Sequence, residues 1–230
     1  MQRFFKILAL VICLLSLTSL APGRDASWEE LNEKAGTLLL QGRDEEAIPV
    51  AQEALRLGEK ALGPEYPDVA QLRNDLAELY IAQGKYSEAE PLYKRSLAIR
   101  EKVLGPDHPV VAASLNNLAE LYIAQGKYSE AEPLYRRVLT IREKTLGPDH
   151  PVVAASLNNL AELYLAQGKY SEAEPLLKRS LAIREKVLGP DHRYVAVMWT
   201  NLSNLYMKMG REPEAKECAE RARKIESKGK

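Results

Sequence analysis

Apolar positions in this chain recur at helical spacing. Between Val111 and Gln125 they fall at Leu115, Leu118, Ala119 and Tyr122, the i, i+3, i+4, i+7 stripe of a helix with one buried face. Gly126 ends the stripe, Lys127-Tyr128 turns the chain, and a second stripe through Leu134, Leu139 and Ile141 runs to about Leu146. Ser129-Glu130-Ala131-Glu132 has the Ser-x-x-Glu form of a capping box, which predicts the second helix start there. Pro133 is then expected in the first turn, where a missing N–H costs least. Gly147-Pro148-Asp149 is expected to break this helix and cap the next. Ala119 and Ala131 are small enough to let the two helices approach closely, with Tyr122 and Tyr128 filling the space beside the turn.

The helix pair is reused. Leu62-Gly63-Pro64, Leu104-Gly105-Pro106, Leu146-Gly147-Pro148 and Leu188-Gly189-Pro190 recur at a spacing of 42, as do Gly42, Gly84, Gly126, Gly168 and Gly210. A fixed period in the range of about 20–50 residues means stacked units, none able to bury its apolar face alone. The prediction is an all-α, right-handed α-solenoid of five tandem helix-turn-helix units, at about 28–69, 70–111, 112–153, 154–195 and 196–230. The end units depart from the pattern. Lys34 and Thr37 replace the apolar Leu76 and Leu79, and the last helix carries Glu212, Glu214, Lys216, Glu217, Glu220, Arg221, Arg223 and Lys224 as a solvated cap, with Pro213 at its start.

Residues 1–23 read differently. Arg3 and Lys6 precede an apolar run from Ile7 to Leu20, and Ala21-Pro22-Gly23 supplies small residues at the spacing of a cleavage site. The run is short for a membrane span, which needs roughly 20 apolar residues. A signal peptide cleaved near Gly23 is therefore expected, with an uncleaved signal-anchor as the other reading. Cys13 lies mid-run behind the bulky Ile12 and does not suit a lipid anchor. Cleavage leaves Cys218 as the remaining thiol, so the mature solenoid, 24–230, has no internal disulfide, and a bacterial periplasmic or secreted location is expected, with no stable membrane insertion after cleavage.

Thirty-two basic residues balance 32 acidic ones, so no bulk positive charge draws nucleic acid or an anionic membrane. No phosphate loop, nucleophile elbow or zinc motif is present in the sequence. The Glu rows recur in every unit, whereas catalysis needs one constellation, so neither an enzyme nor a cofactor is expected. His108, His150 and His192 sit one per loop. Repeats stacked at about 8–10 Å hold them too far apart to share a metal, so they are read as capping the next helix. The pairs Lys94-Arg95, Arg136-Arg137 and Lys178-Arg179 are offset by Glu88, Glu90, Glu101 and their repeats and are read as a solvated face. Cys218 is read as a small packing residue.

Leu118-Ala119, Tyr122, Gly126, Tyr128 and Ala131, with Trp199, resemble the tetratricopeptide pattern. The 42-residue period, with Leu-Asn-Asn-Leu-Ala, Gly-Lys-Tyr-Ser-Glu-Ala-Glu-Pro-Leu and Leu-Gly-Pro-Asp-His-Pro, is similar to the kinesin-light-chain subtype over residues 28–227. The resemblance implies a protein-binding scaffold whose first helices line a concave groove. Carried over residue by residue, it points to Asn74, Asn116, Asn158 and Thr200 at one groove position. Asn117, Asn159 and Asn201 come next, with Asp75 in unit two, and Glu78, Glu120, Glu162 and Asn204 one turn on. An Asn ladder offers donors and acceptors to a peptide backbone; alternatively it bonds neighbouring helices and holds the stack. The positions where carboxylate-clamping relatives carry Lys or Arg read Gln71, Ala113 and Ala155 here, so the Glu row suits a neutral to basic peptide. Two functions follow: a module holding an extended peptide or partner helix, or an assembly protein acting by self-association.

Overall fold

The computed structural model describes residues 27–228; the expected signal peptide, its cut near Gly23 and Cys13 lie outside the described residues. These form ten helices and, among the described residues, no strand, so the all-α expectation holds. The described residues divide into two compact units, one up to Pro106 and one from Asp107 onward.

In the first unit, α1 (Trp28–Leu40) pairs with α2 (Asp44–Leu62), α3 (Pro67–Ala82) pairs with α4 (Tyr86–Leu104), and α2 packs on α3. In the second, the pairs are α5 (Pro109–Ala124) with α6 (Tyr128–Leu146), α7 (Pro151–Ala166) with α8 (Tyr170–Leu188), and α9 (Arg193–Lys208) with α10 (Glu212–Lys228). Here α6 packs on α7, and α8 on α9. The first predicted stripe is inside, with Leu115, Leu118, Ala119 and Tyr122 all buried; of the second, Ile141 is buried but Leu134 and Leu139 are half-buried, and Ala131, Tyr135 and Val138 fill the inner face of α6 with it. Each fully buried Leu of this kind contributes about 1.5–3 kcal/mol. Lys34 and Thr37 are exposed where Leu76 and Leu79 are buried, and Cys218 is buried in α10.

The turn within each pair is set by its glycine. Gly126 has φ 73°; its N–H donates to the Ile123 carbonyl at 2.9 Å and the Lys127 N–H to Tyr122 at 2.8 Å. That double bond closes a Schellman turn, which needs a left-handed residue and so favours glycine. The same turn corrects two expectations. It delivers the chain into α6 already at Tyr128, with Lys127 as N-cap and no side-chain cap. Ser129 is therefore inside the helix, where its hydroxyl donates to the Glu130 carboxylate at 2.7 Å, and no capping box forms with Glu132. Pro133 lies in the second turn rather than the first. A genuine capping box closes instead at Ser27–Glu30, with reciprocal bonds of 3.2 and 3.1 Å.

The caps of α5, α7 and α9 come from histidine rather than from aspartate such as Asp149, while α3 starts at Tyr66 with no side-chain cap. Nδ1 of His108, His150 and His192 accepts from the N–H of Val110, Val152 and Tyr194 at 3.1–3.2 Å. Asp149 and Asp191 instead pair with Lys186 and Lys228 at 2.5 and 2.8 Å, and Asp107 pairs with Lys144. Such exposed pairs contribute at most about 1 kcal/mol each. The basic pairs also join neighbouring repeats. Arg136 reaches Glu132 and the Tyr164 hydroxyl, and Arg179 reaches Glu143 at 2.5 Å.

Candidate functional site

In the second unit the Asn and Glu positions come together as a connected network. Within each helix, Nδ2 of Asn116 donates to Glu120 at 2.8 Å and that of Asn158 to Glu162 at 2.7 Å, the i, i+4 spacing that puts both on one face. Between helices, Asn159 donates to Asn116 Oδ1 at 3.3 Å and Asn201 to Asn158 Oδ1 at 3.5 Å. These bonds set α5, α7 and α9 side by side. The sequence placed Asn116 and Asn158 in one row and Asn159 and Asn201 in another; the structure bonds one row to the other across repeats. Asn117 is half-buried on α5. Thr200 and Asn204 are exposed on α9, with the Thr200 hydroxyl turned back onto the Ala196 carbonyl at 3.1 Å.

The first unit has the same plan with more burial. Asn74 is 5% and Asp75 7% exposed. Asn74 donates to Glu78 at 2.9 Å. Asp75 accepts from Asn32 of α1 at 3.1 Å and from Gln71 at 2.6 Å. Burial pushes the Asp75 carboxyl above its usual range, against the opposing pull of Asn32, Gln71 and Arg100.

Three arginines absent from the predicted site hold the same repeat position in α4, α6 and α8, and two of them, Arg100 and Arg142, lie close by. Arg100 donates to Gln71 at 2.6 Å. Arg142 donates to Ser156 of α7 at 2.8 Å, with Glu120 as its charged neighbour. Arg184 has a buried Nε with no hydrogen-bond partner. The repeat-equivalent of Ser156 there is Met198, which cannot accept as Ser156 does from Arg142 Nη1. Burial lowers the pKa of all three guanidinium groups. The Ile-Arg-Glu-Lys recurrence at 99–102, 141–144 and 183–186 was the available signal.

A separate cleft of about 610 Å³ is lined by Gly126, Tyr128, Glu132, Arg136, Gln167 and Lys169 and shares no residue with the Asn–Glu network. Glu132 already accepts from Tyr164, Arg136 and Lys169 there, so the cleft is a stitch between repeats. Among the described residues, no group of three or more His, Cys, Asp or Glu side chains is placed to hold a metal ion. No described helix is long and apolar enough to cross a membrane.

The tetratricopeptide repeat model matches residues 29–102, 82–144, 111–186 and 154–227. The chain belongs to the tetratricopeptide repeat family. Its subtype is kinesin-light-chain-like. Nearly identical TPR-like repeats of a candidate kinesin light chain from Podosopora anserina superpose with a TM-score of 0.79 at 33% identity, covering 88% of this chain and 96% of that one. BtubC (BKLC) from P. vanneervenii gives 0.75 at 26% identity, covering 86% and 79%. The apo form of RapI, at 17% identity and 0.75 over 87% of this chain and 54% of that one, shares the fold. A search of the curated proteins found no match. The fold is that of a protein–protein interaction scaffold.

Proposed function

We propose that the chain is a non-catalytic module that holds an extended peptide, or a partner's surface helix, on the face shared by α5, α7 and α9. The observation that carries this is the network itself. Asn116 and Asn158 are only half-buried, and Glu162 is exposed, so amides and carboxylates ordered by one another are offered to solvent rather than sealed in a core. Preorganised polar groups reduce the ordering cost of binding. Glu120 and Glu162 are the only charged residues of α5 and α7, which favours a neutral to basic segment over an acidic one. Function in the periplasm or outside the cell, after cleavage near Gly23, belongs to the same proposal and rests on residues 1–23. N-terminal sequencing of the exported protein tests it, and an intact Met1 would refute it.

A second reading has its own support. The Asn159–Asn116 and Asn201–Asn158 bonds spend these amides on holding neighbouring repeats together, which suits a face that stays empty in a protein acting by self-association. A pull-down from periplasmic extract separates the two. The chain as bait should capture a partner that the double variant Asn116→Ala, Asn158→Ala loses. No capture by either bait, with the chain itself running as a higher oligomer, would refute the peptide reading.

A further inference from the structure

The face is not uniform along the second unit, and its last helix reverses the chemistry of the first two. α5 and α7 have the same sequence except for Ile123 against Leu165, and each carries one charge, a glutamate. α9 carries no acid and two cations, Arg193 and Lys208. At the positions of Ala155, Asn158, Glu162 and Leu165 it has Val197, Thr200, Asn204 and Met207. Val197 is 51% and Met207 55% exposed, and Tyr194 on the same side is 46% exposed. These residues follow i, i+3, i+7, i+10 spacing and so form one continuous stripe.

We infer that α9 is an apolar anchoring subsite that fixes the register of a basic extended peptide. The inference rests on the groove reading above. Two near-identical helices cannot define register, because a peptide shifted by one repeat meets the same Asn and Glu. α9 breaks that degeneracy. A large apolar side chain packs on Met207, one turn beyond Asn204 at the end of the Glu120–Glu162 row, while Lys208 repels the basic residues from α9 and leaves them opposite Glu162 and Glu120. Neighbouring helices lie about 10 Å apart and an extended chain advances about 3.3 Å per residue. The ligand pattern is therefore one large apolar residue with a Lys or Arg about three residues away and another about six away.

The test is fluorescence anisotropy of the full chain with four labelled, end-blocked peptides. Two are Phe-Gly-Ser-Lys-Gly-Ser-Lys and its reverse, covering both directions; two are the same sequences with Ser in place of Phe. One Phe peptide should bind at least tenfold tighter than its Ser counterpart. The variant Val197→Asn with Met207→Gln, both on exposed positions and checked for unchanged helicity, should abolish that difference while leaving the Ser peptides unaffected. Glu162→Gln should weaken Phe and Ser peptides alike. If Phe gives no advantage, or the α9 variant preserves it, the anchoring subsite is refuted while the groove reading stands. If no peptide binds, or Glu162→Gln and Asn158→Ala change nothing, the groove reading itself fails.

Discussion

Replacing Asn116 and Asn158 together by Ala separates the two readings of the Asn network. The pair takes part in four hydrogen bonds: two to Glu120 and Glu162, and two from Asn159 and Asn201. The intrahelical bonds are of a kind worth about 0.2–0.5 kcal/mol each. The inter-helix bonds, at 3.3 and 3.5 Å in half-buried positions, belong at the low end of the usual range of about 0.5–1.5 kcal/mol. Their combined loss is about 2 kcal/mol. Ala recovers roughly half of that through its higher helix propensity, about 0.6 kcal/mol per site. The net cost of about 1 kcal/mol lowers the melting temperature by about 2–4 °C for a chain of this size. Peptide binding loses two direct backbone contacts, so affinity should fall roughly tenfold or more. Differential scanning calorimetry and anisotropy on the same preparations measure both. The companion variant Asn159→Ala, Asn201→Ala removes the same inter-helix bonds from the donor side and leaves Asn116 and Asn158 in place, so its loss of affinity should be the smaller of the two, the part due to ordering alone. A drop of more than about 10 °C with a proportional loss of binding would refute the argument and assign the ladder to the stack.

Three further outcomes follow from the packing. Tyr164→Phe removes the hydroxyl that donates to Glu132 at 3.0 Å and accepts from Arg136; urea titration should show a loss of about 1 kcal/mol, and no loss would mean the stitch is idle. Gly58→Ala places a Cβ 2.5 Å from Cδ1 of the buried Leu72, so overpacking should outweigh the gain in helix propensity and cost about 1 kcal/mol net, by the same titration. Hydrogen bonds from Lys144, Lys186 and Lys178 hold Asp107, Asp149 and Glu174 below the usual carboxylate range. A depressed folded-state pKa gives stability that is present above the unfolded value, about 3.9–4.3, and lost as pH falls through the folded value. The melting temperature of the second unit should therefore fall progressively below about pH 4, and an unchanged value at pH 3 would refute the contribution of these pairs.

The helices were legible because each repeat states its period, its turn glycine and its apolar stripe in the same order. Local rules failed where a neighbouring feature decided the outcome. Ser129-x-x-Glu132 has the form of a capping box, but the turn at Gly126 starts the helix one residue before Ser129. The Asn rows were legible as rows and not as partners. Asn159 meets Asn116 and Asn201 meets Asn158, 43 residues apart rather than 42. That one-residue offset comes from how successive helices are rotated, which no periodicity encodes. The arginines escaped notice because Arg on a helix reads as solvated until its burial is known.

The same repeat position also shows how the chain balances volume. Gly58 faces Leu72, and a Cβ there would already collide. Arg142 faces the small Ser156 and bonds to it. In both cases the bulk is on one helix and the room on the other, as close packing requires. Arg184 and Met198 break the rule, with two large side chains and no acceptor for Nε. This mismatch falls at the α8–α9 junction, next to the helix where acidic groove positions give way to Thr200 and Asn204 and where Arg193 and Lys208 reverse the charge. Near-identical repeats can supply affinity but not register, so any positional information in a ligand must be read where the copies differ. In the second unit that place is α9.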